Sequence, residues 1–171
     1  MNSLFAHAAL AAAVLAGLSA APASAHVTLE TRQAAVGSYY KAVLRVPHGC
    51  AGSPTLKLRV RIPEGVIAVK PQPKAGWGLE TVKGDYAQAY TLHGAQFTAG
   101  VREIVWSGKL PDEYFDEFVF QAYLTPTLKA GDTLYFPVVQ ECEQGVARWI
   151  DIPVSGNADM PAPGLKLLPK P

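Results

Sequence analysis

The stretch TLKLRVRI, residues 55–62, decides the fold class because it alternates without interruption between apolar and cationic side chains after its first residue. The apolar side chains, which point to one side of an extended chain, are Leu56, Leu58, Val60 and Ile62. The cationic side chains on the other side are Lys57, Arg59 and Arg61. This period of two is typical of a β-strand that has one face in a core and the other in water.

The same alternation recurs along the chain, between breaks that contain Gly or Pro. It is found, less regularly, in residues 39–46, 87–92, 101–108, 116–124, 132–139 and 146–152. No sustained period of 3.6 residues occurs from residue 26 onward. The spacing of these segments predicts an all-β fold and favours a β-sandwich. Pro137 interrupts one segment, so we expect that strand to lie at an edge or to carry a bulge.

The two ends of the chain differ in composition from its middle. Residues 1–25 carry an apolar run, Ala8–Ala20, before Ala23-Ser24-Ala25, which is typical of a secretory signal peptide cut after Ala25. The run is too short for a stable membrane span, and we expect none after cleavage. Residues 26–154 then form the predicted domain, and residues 155–171, rich in Pro and small residues, are predicted to be a mobile tail. The predicted location is the periplasm or the outside of the cell.

Charge and cysteine content narrow the function classes. The net charge is +1 and both signs are mixed along the chain, so neither nucleic acid nor an acidic membrane surface is an expected partner. An exported chain meets an oxidising environment, which favours one disulfide between Cys50 and Cys142 that closes a long loop. The alternative is a thiolate metal site that includes His48, and it needs a reducing environment.

Cleavage after Ala25 would make His26 the first residue of the mature protein. Its α-amine and its imidazole Nδ1 could then close a chelate ring on one metal ion, and nitrogen donors in this arrangement favour copper(II) among the divalent first-row metals. An α-amine has an ordinary pKa of about 7.7 to 8.0, so binding must release a proton and weaken in acid. The stretch HVTLE, residues 26–30, alternates, so Val27 and Leu29 are expected to enter the core and hold His26 in place.

Further ligands must come from elsewhere in the fold. Glu30 is a poor candidate, because four residues of strand span roughly 13 Å. His48 and His93 each lie beside a turn signal, where a solvent-facing or backbone-bonded side chain is expected. The acids that could complete a coordination sphere are Asp116, Glu117, Glu141 and Glu143. We retain Glu117 as the candidate carboxylate ligand.

The tryptophan in VARWIDI, residues 146–152, has two interpretations. Alternation places Trp149 with Ala147 and Asp151 on one face of the segment. An indole on that face could cover a nearby metal site and keep water from it, or it could cap the edge of the core. The residues alone leave both interpretations open.

Taken as a whole, the mature chain resembles the YcnI-like copper-binding domain family, formerly described only as a domain of unknown function, DUF1775. The resemblance runs through AHVTLE, VPHGC, VRIPEGV, KPQPKAGW, VWSGKLPDEYFDEFVF, YFPVVQEC and RWIDIP. It implies an immunoglobulin-like or cupredoxin-like β-sandwich that binds copper(II) through a mono-histidine brace, with a tryptophan near the metal. Carried to this chain, the brace residue is His26 and the tryptophan is Trp149. The HGC and QEC motifs also agree with a disulfide between Cys50 and Cys142.

The leading functional prediction is a periplasmic, non-enzymatic protein that holds or delivers one copper(II) ion, with other copper-handling proteins as partners. Some members of the family that it resembles carry a C-terminal membrane helix, and its absence here favours a soluble form. One alternative is a copper-dependent oxidative enzyme, which would need a nitrogen of His48 or His93 at about 2 Å from the metal. The other alternative is a non-catalytic β-sandwich interaction module, in which His26 is incidental and no stoichiometric metal binds.

Overall fold

The structure, a computed structural model, describes residues 26–153 and 158–170. Within them the strands are β1 (Thr28–Leu29), β2 (Gln33–Ala35), β3 (Ser38–Val46), β4 (Thr55–Arg61), β5 (Val66–Pro71), β6 (Gly78–Leu92), β7 (Ala95–Leu110), β8 (Asp116–Leu124), β9 (Thr133–Tyr135), β10 (Val138–Cys142), β11 (Val146–Trp149) and β12 (Gly164–Leu168). The predicted signal peptide, residues 1–25, lies outside the described residues. No helix in the described ranges is long and apolar enough to cross a membrane.

Two antiparallel sheets carry most of the described chain. One has four strands in the order β1-β3-β8-β5, and the other has five in the order β11-β10-β4-β7-β6. A smaller sheet, β2-β12-β9, joins β12 to β2 in parallel and to β9 in antiparallel orientation. The prediction of an all-β sandwich is confirmed.

The core lies between the two larger sheets and is filled by the inward side chains of both. Trp106 on β7 packs against Phe118 on β8 with 5.5 Å between ring centroids, and Phe120 lies 5.7 Å from Phe136. All four side chains are at most 1% exposed. Burial of each such side chain stabilises the fold by about 1.5–3 kcal/mol, so these aromatic contacts hold the sheets together.

β4 departs from strict alternation at its start. Leu58, Val60 and Ile62 are fully buried, as predicted, but Leu56 is 37% exposed. The register of β4 on both neighbouring strands shifts near Thr55, and Thr55 takes the buried position in place of Leu56. A bulge of this kind reverses which face a side chain occupies, so the prediction for Leu56 is wrong.

Pro137 divides the segment 132–139, which the sequence predicts as one strand. β9 ends at Tyr135, β10 begins at Val138, and the two strands join different sheets. Proline lacks the backbone N–H that a continuous strand would donate, which explains the break. The carbonyl of Pro137 still accepts a hydrogen bond from the Arg61 amide at 2.9 Å.

The prediction of a mobile tail over 155–171 is wrong for its described part. Residues 164–168 form β12, in which Leu165 and Leu167 are buried in the main core while Lys166 and Leu168 point outward. Burial of two leucines and pairing with two strands offset the conformational entropy that a tail would keep. The domain therefore extends beyond residue 154 and includes β12.

Candidate metal site at the edge of the sandwich

His26 lies two residues before the start of the short strand β1, and its neighbours fix it to the fold. Val27 is 1% exposed and Leu29 is 2% exposed, so two side chains within four residues of His26 are anchored in the core. Thr28 pairs with Arg45 of β3, and the Glu30 amide donates to the Val43 carbonyl at 3.0 Å. The alternation predicted for HVTLE is confirmed, and the chain at His26 has little freedom to move.

The imidazole of His26 packs on the indole of Trp149. Their ring centroids are 5.1 Å apart with an interplanar angle of 56°. β1 is the edge strand of the four-stranded sheet, and β11, which ends at Trp149, is the edge strand of the five-stranded sheet. The contact therefore connects the two sheets along one side of the sandwich, and it brings together two residues that lie 123 positions apart in the sequence.

A buried glutamine fixes the indole of Trp149. The indole N–H donates to Gln140 Oε1 at 3.1 Å. Gln140 Nε2 in turn donates to the His48 carbonyl and to Thr55 Oγ1, both at 2.7 Å. Gln140 is 1% exposed and its carboxamide uses both its oxygen and its nitrogen, so the amide orientation is set by the network.

The disulfide between Cys50 and Cys142 is present, which confirms that prediction. Cys50 lies two residues after His48, and Cys142 lies two residues after Gln140. The bond thus ties together the two chain segments that meet at the glutamine network. Because both sulfurs are used, the thiolate metal site with His48 is excluded in this form.

A shallow groove of 230 Å³ opens beside His26. One wall is the start of β1 with Arg32, and the other is the segment 161–164 that precedes and begins β12. That segment is held close by Asp151, which forms a bridge with Pro161 and accepts the Met160 amide on Oδ2 at 3.1 Å. The ring of His26 is half-buried and solvent reaches it through this groove.

The other two described histidines are engaged elsewhere. The ring of His48 bonds through Nδ1 to the Gly49 carbonyl, as expected beside a turn. His93 lies at the tip of the β6–β7 hairpin, where Nε2 is 3.3 Å from the Tyr39 hydroxyl. Tyr39 lies at the start of β3, whereas β1 pairs with Leu44 and Arg45, so the residue that His93 contacts is five residues of strand, roughly 17 Å, from the part of β3 beside β1.

Glu117, the retained carboxylate candidate, is not packed against His26. It lies on β8 in register with Arg45, which is in register with Thr28, so Glu117 is two strand spacings, roughly 10 Å, from β1. Its Oε1 is 3.6 Å from Arg45 Nε. Among the other acids, Asp116 binds Lys74 at 2.6 Å and Glu141 pairs with Lys57 at 3.8 Å. In 26–153 and 158–170 no three His, Cys, Asp or Glu side chains converge on a possible metal position.

Known proteins give two comparisons. The family model described as "Domain of unknown function (DUF1775)" matches residues 26–167, which includes β12. A crystal structure of an uncharacterized protein from Nocardia farcinica, described as having an immunoglobulin-like fold, superposes with a TM-score of 0.61 at 24% identity, covering 84% of this chain and 98% of that chain. This similarity supports the immunoglobulin-like form of the sandwich. No curated protein matches the chain.

Proposed function

We propose that this chain, which belongs to the DUF1775 family, binds one copper(II) ion at His26 and holds or delivers it in the periplasm. Signal-peptide cleavage after Ala25 would expose the α-amine of His26. That amine and the imidazole Nδ1 then supply two nitrogen donors from one residue, which is a donor set that copper(II) prefers among divalent first-row metals.

The contact between His26 and Trp149 is the observation that carries the proposal. With ring centroids 5.1 Å apart, the indole limits the orientations of the imidazole and covers one side of the position where the ion would bind. The buried glutamine that accepts the indole N–H keeps Trp149 in place. A terminal residue is usually mobile, so this degree of fixation favours a site over an incidental terminus.

Water is the ligand that we favour for the remaining positions. Glu117 would have to leave Arg45 and reach past β3 to bind the same ion as His26. An ion held by one residue and by exchangeable waters can accept ligands from a second protein, as delivery requires. Ile150 and Ile152 follow Trp149 and are 42% and 58% exposed, so apolar surface is available beside the site for such a partner.

A titration with copper(II) tests the proposal. The matured protein, with His26 confirmed as its first residue by mass spectrometry, is compared with a form that carries the two additional N-terminal residues Ala-Pro. The extension converts the His26 amine to an amide and leaves the core unchanged. Because the added proline has no backbone N–H to release, the new terminal amine cannot form a chain of chelate rings to the imidazole and so does not replace the lost donor. We expect one tight copper per matured chain and an affinity at least about a hundredfold lower for the extended form, since one of two donors is lost. His93→Gln serves as the matched control and should bind as the unmodified chain does.

Equal binding by the matured and extended forms would refute the brace. Absence of stoichiometric binding to either form would favour the interaction-module alternative. Circular dichroism of both forms establishes that the extension has not altered the fold.

A further inference from the structure

A second cavity lies away from His26, under the β6–β7 hairpin. The distal part of this hairpin folds over the outer face of the four-stranded sheet and forms a small apolar cluster of its own with Ile67, Tyr86, Tyr90 and Leu92. Between the hairpin tip and the sheet, a cavity of 490 Å³ remains open to solvent. Pockets that bind small organic molecules are of this size.

The lining of this cavity combines an apolar body with a few polar groups. Its apolar residues are Ala68, Val69, Leu92, Ala95 and Phe97. The polar residues are Tyr39, Lys70, His93 and Gln121. A mostly apolar wall with a small number of placed donors is the usual character of a ligand site.

The charged side chains that line the cavity are positive. None of the lining residues is Asp or Glu. Lys70 and Lys41 are both in register with Gln121, on the strands that flank it, so two ammonium groups lie on either side of this amide. Neither lysine forms an ion pair with any residue that the structure describes. An anion would therefore be attracted here and a cation repelled.

Two lining residues adopt backbone conformations that side chains disfavour. Ala68 has φ of 52° and His93 has φ of 50°, both in the left-handed region. Ala68 lies in the bulge between Ile67 and Lys70, which sets the direction of the Lys70 side chain. His93 and Gly94 form the two-residue turn of the hairpin, which requires positive φ at both positions. Ala68 has no such turn, and strained residues of this kind concentrate at ligand-binding positions.

An adjacent, smaller hollow has the same character. It measures 250 Å³, shares the wall of Ala68, Val69 and Phe97, and is lined also by Lys83 and Tyr86. Tyr86 is 8% exposed, and its hydroxyl is buried and has no hydrogen-bond partner among the described residues. A donor without a partner, in a hollow that Lys83 also lines, provides a second place where an acceptor group of a ligand would be stabilised.

We propose that the cavity under the β6–β7 hairpin binds a small carboxylate with an apolar or aromatic body. The body packs against Leu92 and Phe97, and the carboxylate accepts hydrogen bonds from Lys70 and from the Gln121 amide. The site is separate from His26, and it does not depend on copper.

Amide NMR of the copper-free protein, titrated with phenylbutyrate, tests this proposal. We expect saturable shifts centred on Ala68, Leu92, Phe97 and Gln121. Phenylbutanol, which has the same body without the charge, should bind at least about fivefold more weakly, because charge-assisted hydrogen bonds are lost. Lys70→Gln should weaken phenylbutyrate binding by a similar factor, whereas Lys129→Gln, a lysine outside the cavity, should not.

Ala95→Trp fills the cavity from an exposed position and should abolish binding while the amide spectrum stays dispersed. Shifts that do not saturate, shifts that map to another surface, or unchanged binding by Ala95→Trp would overturn the site. Equal affinity for phenylbutanol and phenylbutyrate, or no effect of Lys70→Gln, would overturn the assignment of an anion.

Discussion

His26 shows how far a single residue can be interpreted from sequence. Its place after a cleavage motif and before an alternating segment predicts an anchored histidine, and the anchoring by Val27 and Leu29 is confirmed. Gln140 could not be found in this way, because one glutamine in a strand gives no periodic signal. Gln140 hydrogen-bonds to His48, Thr55 and Trp149, and only the folded chain brings these three residues to it.

Gln140→Met tests the network at Trp149. The substitution keeps the side-chain volume but leaves the indole N–H and the His48 carbonyl without their partner. Since buried polar groups without partners are costly, we expect the free energy of unfolding to fall by about 2–4 kcal/mol. Urea denaturation measures this, with Gln121→Met, at an exposed position of β8, expected to change stability by less than about 0.5 kcal/mol. A loss as small for Gln140→Met as for Gln121→Met would show that the network is not stabilising.

Tyr40 gives a prediction for alkaline pH. Its hydroxyl donates to the Thr31 carbonyl at 2.6 Å, and burial raises the pKa of Tyr40 far above its usual value. The neutral form is thus favoured by folding. The stability that Tyr40 contributes is fully present below the pKa of an unfolded tyrosine, about 10, and is lost as the pH rises above that value.

Tyr40→Phe should cost about 1 kcal/mol at neutral pH and should make stability fall less steeply above about pH 10 than in the unmodified chain. Urea denaturation across this range measures both effects. Tyr39→Phe, at a half-exposed neighbour on the same strand, is the control and should keep the original slope. If the slope of Tyr40→Phe is also unchanged, burial of this hydroxyl does not govern the alkaline response.

At the scale of elements, regular alternation was the reliable signal. β8 has the predicted bounds, 116–124, and most of the other predicted segments coincide with strands. The sequence does not predict β12, because this strand is only five residues long and follows a stretch rich in Pro and small residues. Its stability depends on β2 and β9, which are distant in sequence, so the segment alone does not reveal it.

Leu165→Ala tests whether β12 belongs to the core. Leu165 is fully buried, so its truncation should lower the free energy of unfolding by about 2–4 kcal/mol. Leu168→Ala, on the same strand at 37% exposure, should cost less than about 1 kcal/mol. Thermal denaturation of the two variants gives the comparison, and equal losses would mean that residues 164–168 do not pack as described.

At the scale of the whole molecule, the Cys50–Cys142 bond joins residues 92 positions apart. A loop of that length gives an expected stabilisation of about 4.6 kcal/mol in the chain-entropy model. Replacing both cysteines by alanine should remove most of this stability, as measured by urea denaturation. A reductant should leave the free energy of unfolding of the double variant unchanged, whereas it should lower that of the unmodified chain. Stability of the unmodified chain that is unaffected by reduction would contradict this role.

Two features of the site and the cavity depend on the arrangement of the whole molecule and could not be predicted from the sequence. The contact between His26 and Trp149 depends on two sheets meeting at one side, and the cavity at Lys70 depends on a hairpin that folds over the outer face of the other sheet. Alternation predicts which residues share a face of a strand. It does not give the order of strands or the curvature of a hairpin, because these follow from packing between distant segments.

Pulsed EPR of the one-to-one copper(II) complex identifies the nitrogen atoms that bind the ion. The matured protein should show nitrogen couplings from both the imidazole and the primary amine of His26, and the form extended by Ala-Pro should lose the amine coupling. Identical spectra from the two forms, or a matured complex without histidine nitrogen coupling, would contradict a copper site at His26.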